Sequence, residues 1–352
     1  MAGLIAHLDL DAFYASVELL RRPELQGLPL IVAGSGPRAV VTTASYEARR
    51  FGVGSAMPAS KARRLCPQAV VIAPDFDAYR ATSRAVMDLL RAHVERVEQV
   101  GLDEAYLDLS GLLAPKAAMR RLVTEIREQT GMRGSVGIGP NKLVAKVASD
   151  AEKPSGFVIL TREQACERFA QSPPGLVPGI GPRTAERLRG LGLTTLGALA
   201  VADQSVLVQA FGARQGPWLR GRARFEGSES VQPVRDAVSE SRETTFDVDI
   251  SDGARLEAIL LDLTRRLCEG LRRSGNRGRT VRIKVRLADF TTVTRARTIA
   301  HATDDAAEVG EVAIGLLREY APAGPVRLLG VGVTGFAAER DPDDADQLAL
   351  PV

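Results

Sequence analysis

The chain is poor in cysteine. Its three, Cys66, Cys166 and Cys268, lie far apart and form no CxxC pair. That speaks against a disulfide framework and against a cysteine-based zinc site, and leaves three reduced, packed thiols of the kind cytosolic proteins carry. Long apolar runs are missing as well. No window of about 18 apolar residues occurs, so no transmembrane span is expected. The opening "MAGLIAHLDLDAF" has no basic n-region and turns acidic at once, unlike a secretory leader. Net charge is only +3 and points to no partner by itself.

What is present is apolar material and length. Hydrophobic residues make up 45% of the 352, enough for folded cores and too much chain for one of them. About two to four domains are expected. Charge is unevenly spread. Arg265, Arg266, Arg272, Arg273, Arg277, Arg279, Arg282, Lys284, Arg286, Arg295 and Arg297 crowd one stretch, opposed only by Glu269 and Asp289. A local excess of this kind reads as a phosphate-binding footprint, or else as a solvated arginine-rich face.

Over 1–165, apolar strand patterns alternate with helical ones, as in a small α/β sheet with an insertion after the first strand. "GLIAHLDLD" reads as a buried strand, with Asp11 as a cap for the helix after it. Residues 175–220 read as short helices punctuated by glycine, and 222–240 as a polar linker. Beyond it, four strand patterns and two helices form a separate α+β domain.

"GLDEAYLDLSG" carries two adjacent carboxylates, Asp103 and Glu104, inside an apolar hairpin and with no basic residue beside them. Asp9 ends another apolar strand. Buried carboxylates without a counter-charge are costly. Three acids at the ends of neighbouring strands, with no Cys or His cluster, suggest Mg²⁺ or Mn²⁺. Two such ions suit a phosphoryl displacement. Ordinary acids at strand ends are the competing reading, and it applies to Asp11 and Asp108.

"ASYEARRFG" places Tyr46 and Arg49 on one helical face, suited to a triphosphate or simply to a surface helix. "AEKPSG" holds Lys153 before a turn. "DAFYASVE" starts a helix whose free N–H groups could meet phosphate, with Phe13 and Tyr14 beside it, although core packing competes for Phe13. "LVPGIGPRTAERLRGLG" has the spacing of a helix-hairpin-helix, in which Gly179 and Gly181 let the backbone meet a nucleic-acid strand without reading bases.

Together, "HLDLDAFYASVE", "VVTTASYEARRFGV", "GLDEAYLDLSG", "GSVGIGPNKLVAKVASDAEKPSG" and "VPGIG" resemble the Y-family DNA polymerases, in particular the DNA polymerase IV branch, over nearly the full chain. The resemblance implies a multidomain α+β right-hand polymerase. A ferredoxin-like palm would span 1–12 and 74–165, small fingers 13–73, and a helical thumb with the helix-hairpin-helix 166–226. A linker at 227–240 would lead to an α+β little finger at 241–338, with a tail at 339–352. It also implies Asp9, Asp103, Glu104 and the Leu10 carbonyl as ligands of two Mg²⁺ ions, with Mn²⁺ as a substitute. Phe13, Tyr14, Thr43, Tyr46, Arg49 and Lys153 would bind the nucleotide, with Tyr14 as the steric gate against a ribose 2′-OH. Val40 and Thr42 would roof the nascent pair.

DNA contacts would come from Gly179, Gly181, Arg279, Arg282, Lys284, Arg286, Arg295 and Arg297. Gln347, Leu348 and Leu350 would engage a sliding clamp. The implied enzyme is a monomeric, bacterial, cytoplasmic translesion polymerase that takes primer-template DNA and dNTPs, with low fidelity and processivity and no proofreading exonuclease. One departure stands out: the family usually has Ser two residues before the Asp-Glu pair, and this chain has Gly101, which bears on metal preference. A non-catalytic DNA-binding relative acting as a repair adaptor would not need the three acids. A nucleotide cyclase would not need the hairpin or the basic domain.

Overall fold

A computed structural model describes residues 3–234 and 236–336. They divide into two compact units, residues 3–35 with 39–234, and residues 236–336 with the short stretch 36–38. The tail with Gln347, Leu348 and Leu350 lies outside the described residues. No described helix is long and apolar enough to cross a membrane.

In the first unit, β1 (Ile5–Leu10) leads into α1 (Phe13–Arg21). β2 (Leu30–Ala33), β3 (Val41–Ala44), α2 (Tyr46–Arg49), α3 (Ala59–Leu65) and β4 (Val70–Ile72) follow, with the strands ordered β3-β2-β4. Then come α4 (Phe76–His93), β5 (Val97–Gln99), β6 (Glu104–Asp108), α5 (Pro115–Thr130), β7 (Gly134–Gly139), α6 (Lys142–Asp150) and β8 (Phe157–Ile159). These strands form a sheet ordered β5-β6-β1-β7-β8, with β1 central and antiparallel to both neighbours.

The alternation of β1 decides its two faces. Ala6, Leu8 and Leu10 enter a core with Val86, Met87 and Leu90 of α4 and Met119, Leu122 and Ile126 of α5. His7 and Asp9 face the other way, toward α6, where His7 Nδ1 meets Ser149 Oγ at 2.8 Å and Asp9 meets the Lys146 ammonium. This helix rests directly on β7 because Gly137 has no side chain. A Cβ there would overlap the Ala145 carbonyl and the Ser149 amide. The outer side of α6 packs, through Val144 and Val147, into a cluster with Leu188, Leu199 and Leu219. To this cluster α7 (Arg162–Arg168) adds Ala165, and those leucines come from α8 (Pro182–Gly190), α9 (Leu196–Val201) and α10 (Gln204–Ala223). Covered on both sides, α6 buries Leu143, Val144, Ala145, Val147 and Ala148, and its lysines stand out.

The stretch 227–240 differs from a plain linker. Val231 is buried with Ile5 and Ala145, the Gln232 amide donates to Glu98 at 2.7 Å, and the Lys142 amide donates to the Ser228 carbonyl at 2.9 Å. Polarity and missing periodicity hide such pinning, because backbone groups supply most of it.

The second unit contains β9 (Ser239–Ile250), α11 (Gly253–Ser274), β10 (Gly278–Leu287), β11 (Thr292–Thr303), α12 (Ala306–Tyr320) and β12 (Val326–Phe336). Its strands are ordered β11-β10-β12-β9, all antiparallel. Both helices cover one face, through Leu260, Leu267 and Val309 against Val281, Ile283 and Val331.

Candidate active site

Asp9 of β1 is paired in register with Glu104 of β6 on one side and Ser135 of β7 on the other. Side chains directly opposite across antiparallel strands lie about 5 Å apart at Cβ, and like charges there repel. Asp103 sits in the turn before β6, and its carbonyl accepts from the Leu10 amide at 2.9 Å. The end of β1 and the acidic turn are thus tied by backbone.

Lys146, from the buried helix α6, bridges the acids. Its Nζ lies 2.8 Å from Asp9 Oδ2 and 2.9 Å from Glu104 Oε2. Lys153 Nζ takes the other Asp9 oxygen at 2.6 Å and Asp150 at 2.7 Å. Burial alone would push the Asp9 carboxyl up, but the ammonium groups of Lys146 and Lys153 outweigh it and hold the group below its ordinary range. The His7 imidazole, and then Lys146 against the opposing effect of burial, bring Glu104 down to about 2. His7 Nε2 stands 3.3 Å from Glu104, close but poorly aligned, and has no well-formed hydrogen bond. Asp103 goes the other way, pushed up by burial and then by the charges of Asp9 and Glu104.

The site therefore keeps negative charge that the two lysines do not neutralise. Among the described residues no three His, Cys, Asp or Glu side chains form a ready-made ligand group. The donors available are all hard oxygens, from Asp9, Asp103 and Glu104 beside Leu10, and that chemistry suits Mg²⁺ or Mn²⁺.

Tyr14 lies in the first turn of α1, just past the end of β1, and its phenol is pushed up by burial and then by the charge of Asp103. Its ring stacks on Tyr79 at 4.4 Å and 19°, with Phe76 edge-on at 5.9 Å. Phe13 does not share that exposure. It is buried in the main core and has little surface for a nucleotide, because the helix turns its ring toward α4. Thr43 is likewise buried, whereas Val40 is exposed. The Arg49 guanidinium lies over the Tyr46 ring at 4.8 Å and donates to the Ala44 carbonyl at 2.9 Å. Burial, and then Asp11, push the Tyr46 phenol up to about 12.

Asp11 is not the cap of α1. Ala12 occupies that position without a side-chain cap. The Asp11 carboxylate is buried instead, accepting from Ser135 Oγ at 2.9 Å and from the Ser155 amide at 2.7 Å. It anchors the turn that carries Lys153.

Gly179 has φ of +94° and packs its α-carbon against Trp218, so a side chain there would collide with the indole. Gly181 immediately precedes α8 and has open space around it. In the second unit the basic residues divide. Arg282, Lys284 and Arg286 alternate with the buried Val281, Ile283 and Val285, so they share the face that the helices leave open. Arg282 lies across bare backbone at Gly332, in a groove of about 300 Å³ that also meets Lys284 and Ser241. Arg279 is exposed at a register shift of β10. Arg295 and Arg297 pair with Ile283 and Val281 and so belong to the helical side. There Arg295 lies over Tyr320 at 5.3 Å and Arg297 pairs with Glu319. Arg265 and Arg266 pair with Asp262 on α11. The single footprint read from the sequence is thus split.

The impB/mucB/samB family profile matches residues 8–150, and the profile of its C-terminal domain matches 237–350. DNA polymerase IV of Streptomyces coelicolor is 45% identical over 344 residues, covering 96% of this chain and 71% of that protein. This chain belongs to the Y-family DNA polymerases, in the DNA polymerase IV branch. DNA polymerase IV of Methanoculleus marisnigri is 42% identical, with 93% of each chain covered. Among solved structures, a Y-family DNA polymerase chimera of Dbh and Dpo4 has a TM-score of 0.86 at 26% identity, covering 96% of this chain and 100% of its own. The fold is the right-hand polymerase fold that the motifs implied.

Sequence reasoning missed three residues that the fold places at the acid cluster: His7, Asp11 as an anchor, and Lys146. The signal for Lys146 was present. Lys142 and Lys146 are spaced by four in the apolar run of "KLVAKVA", and a lysine facing a core needs a carboxylate.

Proposed function

We propose that this polymerase is of the translesion type and extends a primer by nucleotidyl transfer at Asp9, Asp103 and Glu104. The 3′-hydroxyl gives up its proton to solvent as its oxygen bonds to the α-phosphorus of a dNTP, the bond from that phosphorus to the oxygen bridging to the β-phosphate breaks, and pyrophosphate leaves. Asp9, Asp103, Glu104 and the Leu10 carbonyl would hold two Mg²⁺ ions, or Mn²⁺. Bound there, they supply the charge that makes the hydroxyl more acidic and the pyrophosphate a better leaving group.

The remaining work falls to side chains. Lys153, Tyr46 and Arg49 bind and orient the triphosphate. Tyr14 closes the space beneath the sugar. Gly179 and Gly181 offer backbone to the DNA strand, and Arg279, Arg282, Lys284 and Arg286 meet phosphates. Low fidelity, low processivity and the lack of proofreading follow from the family reading, as do a bacterial cytoplasmic location, a monomeric state and clamp binding through Gln347, Leu348 and Leu350. The observation that carries the proposal is the in-register pairing of Asp9 with Glu104, with Asp103 in the adjoining turn.

Primer extension with Mg²⁺ tests it. Asp103→Ala should lose extension while fluorescence anisotropy still reports DNA binding. Extension that survives this change removes the acids from the chemistry.

A further inference from the structure

Glu18 is a fully buried carboxylate outside the acid site. Burying it is costly unless every oxygen is paired. Oε1 accepts the Tyr79 hydroxyl at 2.7 Å and lies 3.7 Å from Arg21, and Oε2 pairs with Arg22, the residue that caps the end of α1. Burial, and then the bond to Glu18, push the Tyr79 phenol well up. Tyr79 is itself fully buried, in the first turns of α4.

Tyr14 and Glu18 are four residues apart on α1 and so share one face. Tyr79 lies along that face and touches both: its ring stacks on Tyr14 at 4.4 Å and 19°, and its hydroxyl reaches Glu18. Phe76 meets Tyr79 at 5.8 Å and 77° and Tyr14 at 5.9 Å and 80°, closing the cluster from α4. Core packing around the Tyr79 ring limits its movement, and apolar contacts alone leave it small shifts along α1. A ring pinned at its hydroxyl as well has one position.

We propose that Glu18 is a positioning residue for sugar discrimination: by fixing the Tyr79 hydroxyl it fixes the surface on which Tyr14 rests. The proposal depends on Tyr14 acting as the steric gate. Tyr14 excludes a 2′-OH only while it cannot recede, and Tyr79 with Glu18 is what stands behind it. No bond is made or broken by this group of residues; it sets geometry alone.

Single-nucleotide kinetics separate the claims, comparing kcat/KM for a dNTP and the matching rNTP. Tyr79→Phe keeps the ring and removes the pin. It should raise relative rNTP use by about fivefold, the worth of one hydrogen bond, and leave dNTP kcat within about twofold. Glu18→Leu should do the same. Glu18→Gln retains an acceptor for Tyr79 but turns an amide toward Arg22, so thermal stability should fall while discrimination stays close to the parent.

Tyr14→Ala is the control for the gate, and should raise rNTP use more than any of these. In the Tyr14→Ala background, Tyr79→Phe should add nothing, because there is no ring left to position. If Tyr14→Ala leaves discrimination unchanged, the gate reading itself is wrong. If Tyr14→Ala relaxes discrimination and Tyr79→Phe does not, the gate stands and the role of Glu18 is overturned. Discrimination that follows melting temperature across the variants, Glu18→Gln included, also overturns it.

Discussion

Asp9 and Glu104 stand opposite each other across β1 and β6, and one ammonium, that of Lys146, touches both. The arrangement answers a problem that the sequence poses. Two adjacent carboxylates in an apolar hairpin need a counter-charge, and no neighbour in sequence supplies it. Lys146 supplies part of it from a helix packed on the same sheet face. The remainder is visible in Asp103, whose carboxyl is pushed up.

Removing that surplus charge should stabilise the metal-free protein. Asp103 has its pKa raised in the fold, so its charged form is disfavoured there. The destabilisation is absent below the unfolded carboxylate range and complete above the folded pKa. Asp103→Asn should therefore melt at a higher temperature than the parent at pH 7 in EDTA, and the gap should close as the pH falls below about 4. Calorimetry across that range reads it directly, and primer extension by the same variant should be lost.

Lys146→Met keeps the length of the side chain and removes the bridge. Asp9 and Glu104 then face each other with less compensation, and urea unfolding in EDTA should show a loss on the order of 2 kcal/mol. Added Mg²⁺ should stabilise the variant more than the parent. Equal stabilisation of the two would mean that Lys146 is not a counter-charge of the acids.

Gly137→Ala tests the seat of α6. The new methyl meets helix backbone, which cannot rotate away, so a loss of about 1–3 kcal/mol or more is expected. Because α6 carries Lys146, the variant should also lose extension at temperatures where it is still folded. Circular dichroism and extension measured on one sample check both.

The division of the basic residues predicts two salt dependences. Changing Arg282, Lys284 and Arg286 together to Ala should weaken DNA binding and flatten the plot of log affinity against log salt, by about 0.9 for each phosphate that is no longer neutralised. The same change at Arg295 and Arg297 should leave that slope nearly intact, since their charges face Tyr320 and Glu319. Binding titrations at several salt concentrations distinguish the faces.

Much of the architecture is legible in the sequence. Alternation in "IAHLDL" and "VRIKVRL" marks β1 and β10, and helical spacing marks α4 and α11. The motifs locate the acids and Tyr14. What escapes are relations between distant segments. Asp11 looks like a helix cap because caps are local, and its actual partners, Ser135 and Ser155, are not. Proximity in sequence groups Arg295 and Arg297 with Arg282. Parity separates them, since they share register with Val293 and Ile299 on an edge strand. Phe13 and Tyr14 are neighbours on one helix turned to different surroundings, a difference that only packing resolves.

The two faces of β1 make its length a constraint. Leu8 and Leu10 hold the core while His7 and Asp9, in the alternate positions, face α6 and the cluster of acids. Deleting or inserting one residue in this strand would exchange the two sets, sending a carboxylate into oil and a leucine among the acids. A one-residue change in the length of this strand would therefore disrupt the core and the acid site at once, whereas a substitution at Asp9 alone would reach only the site.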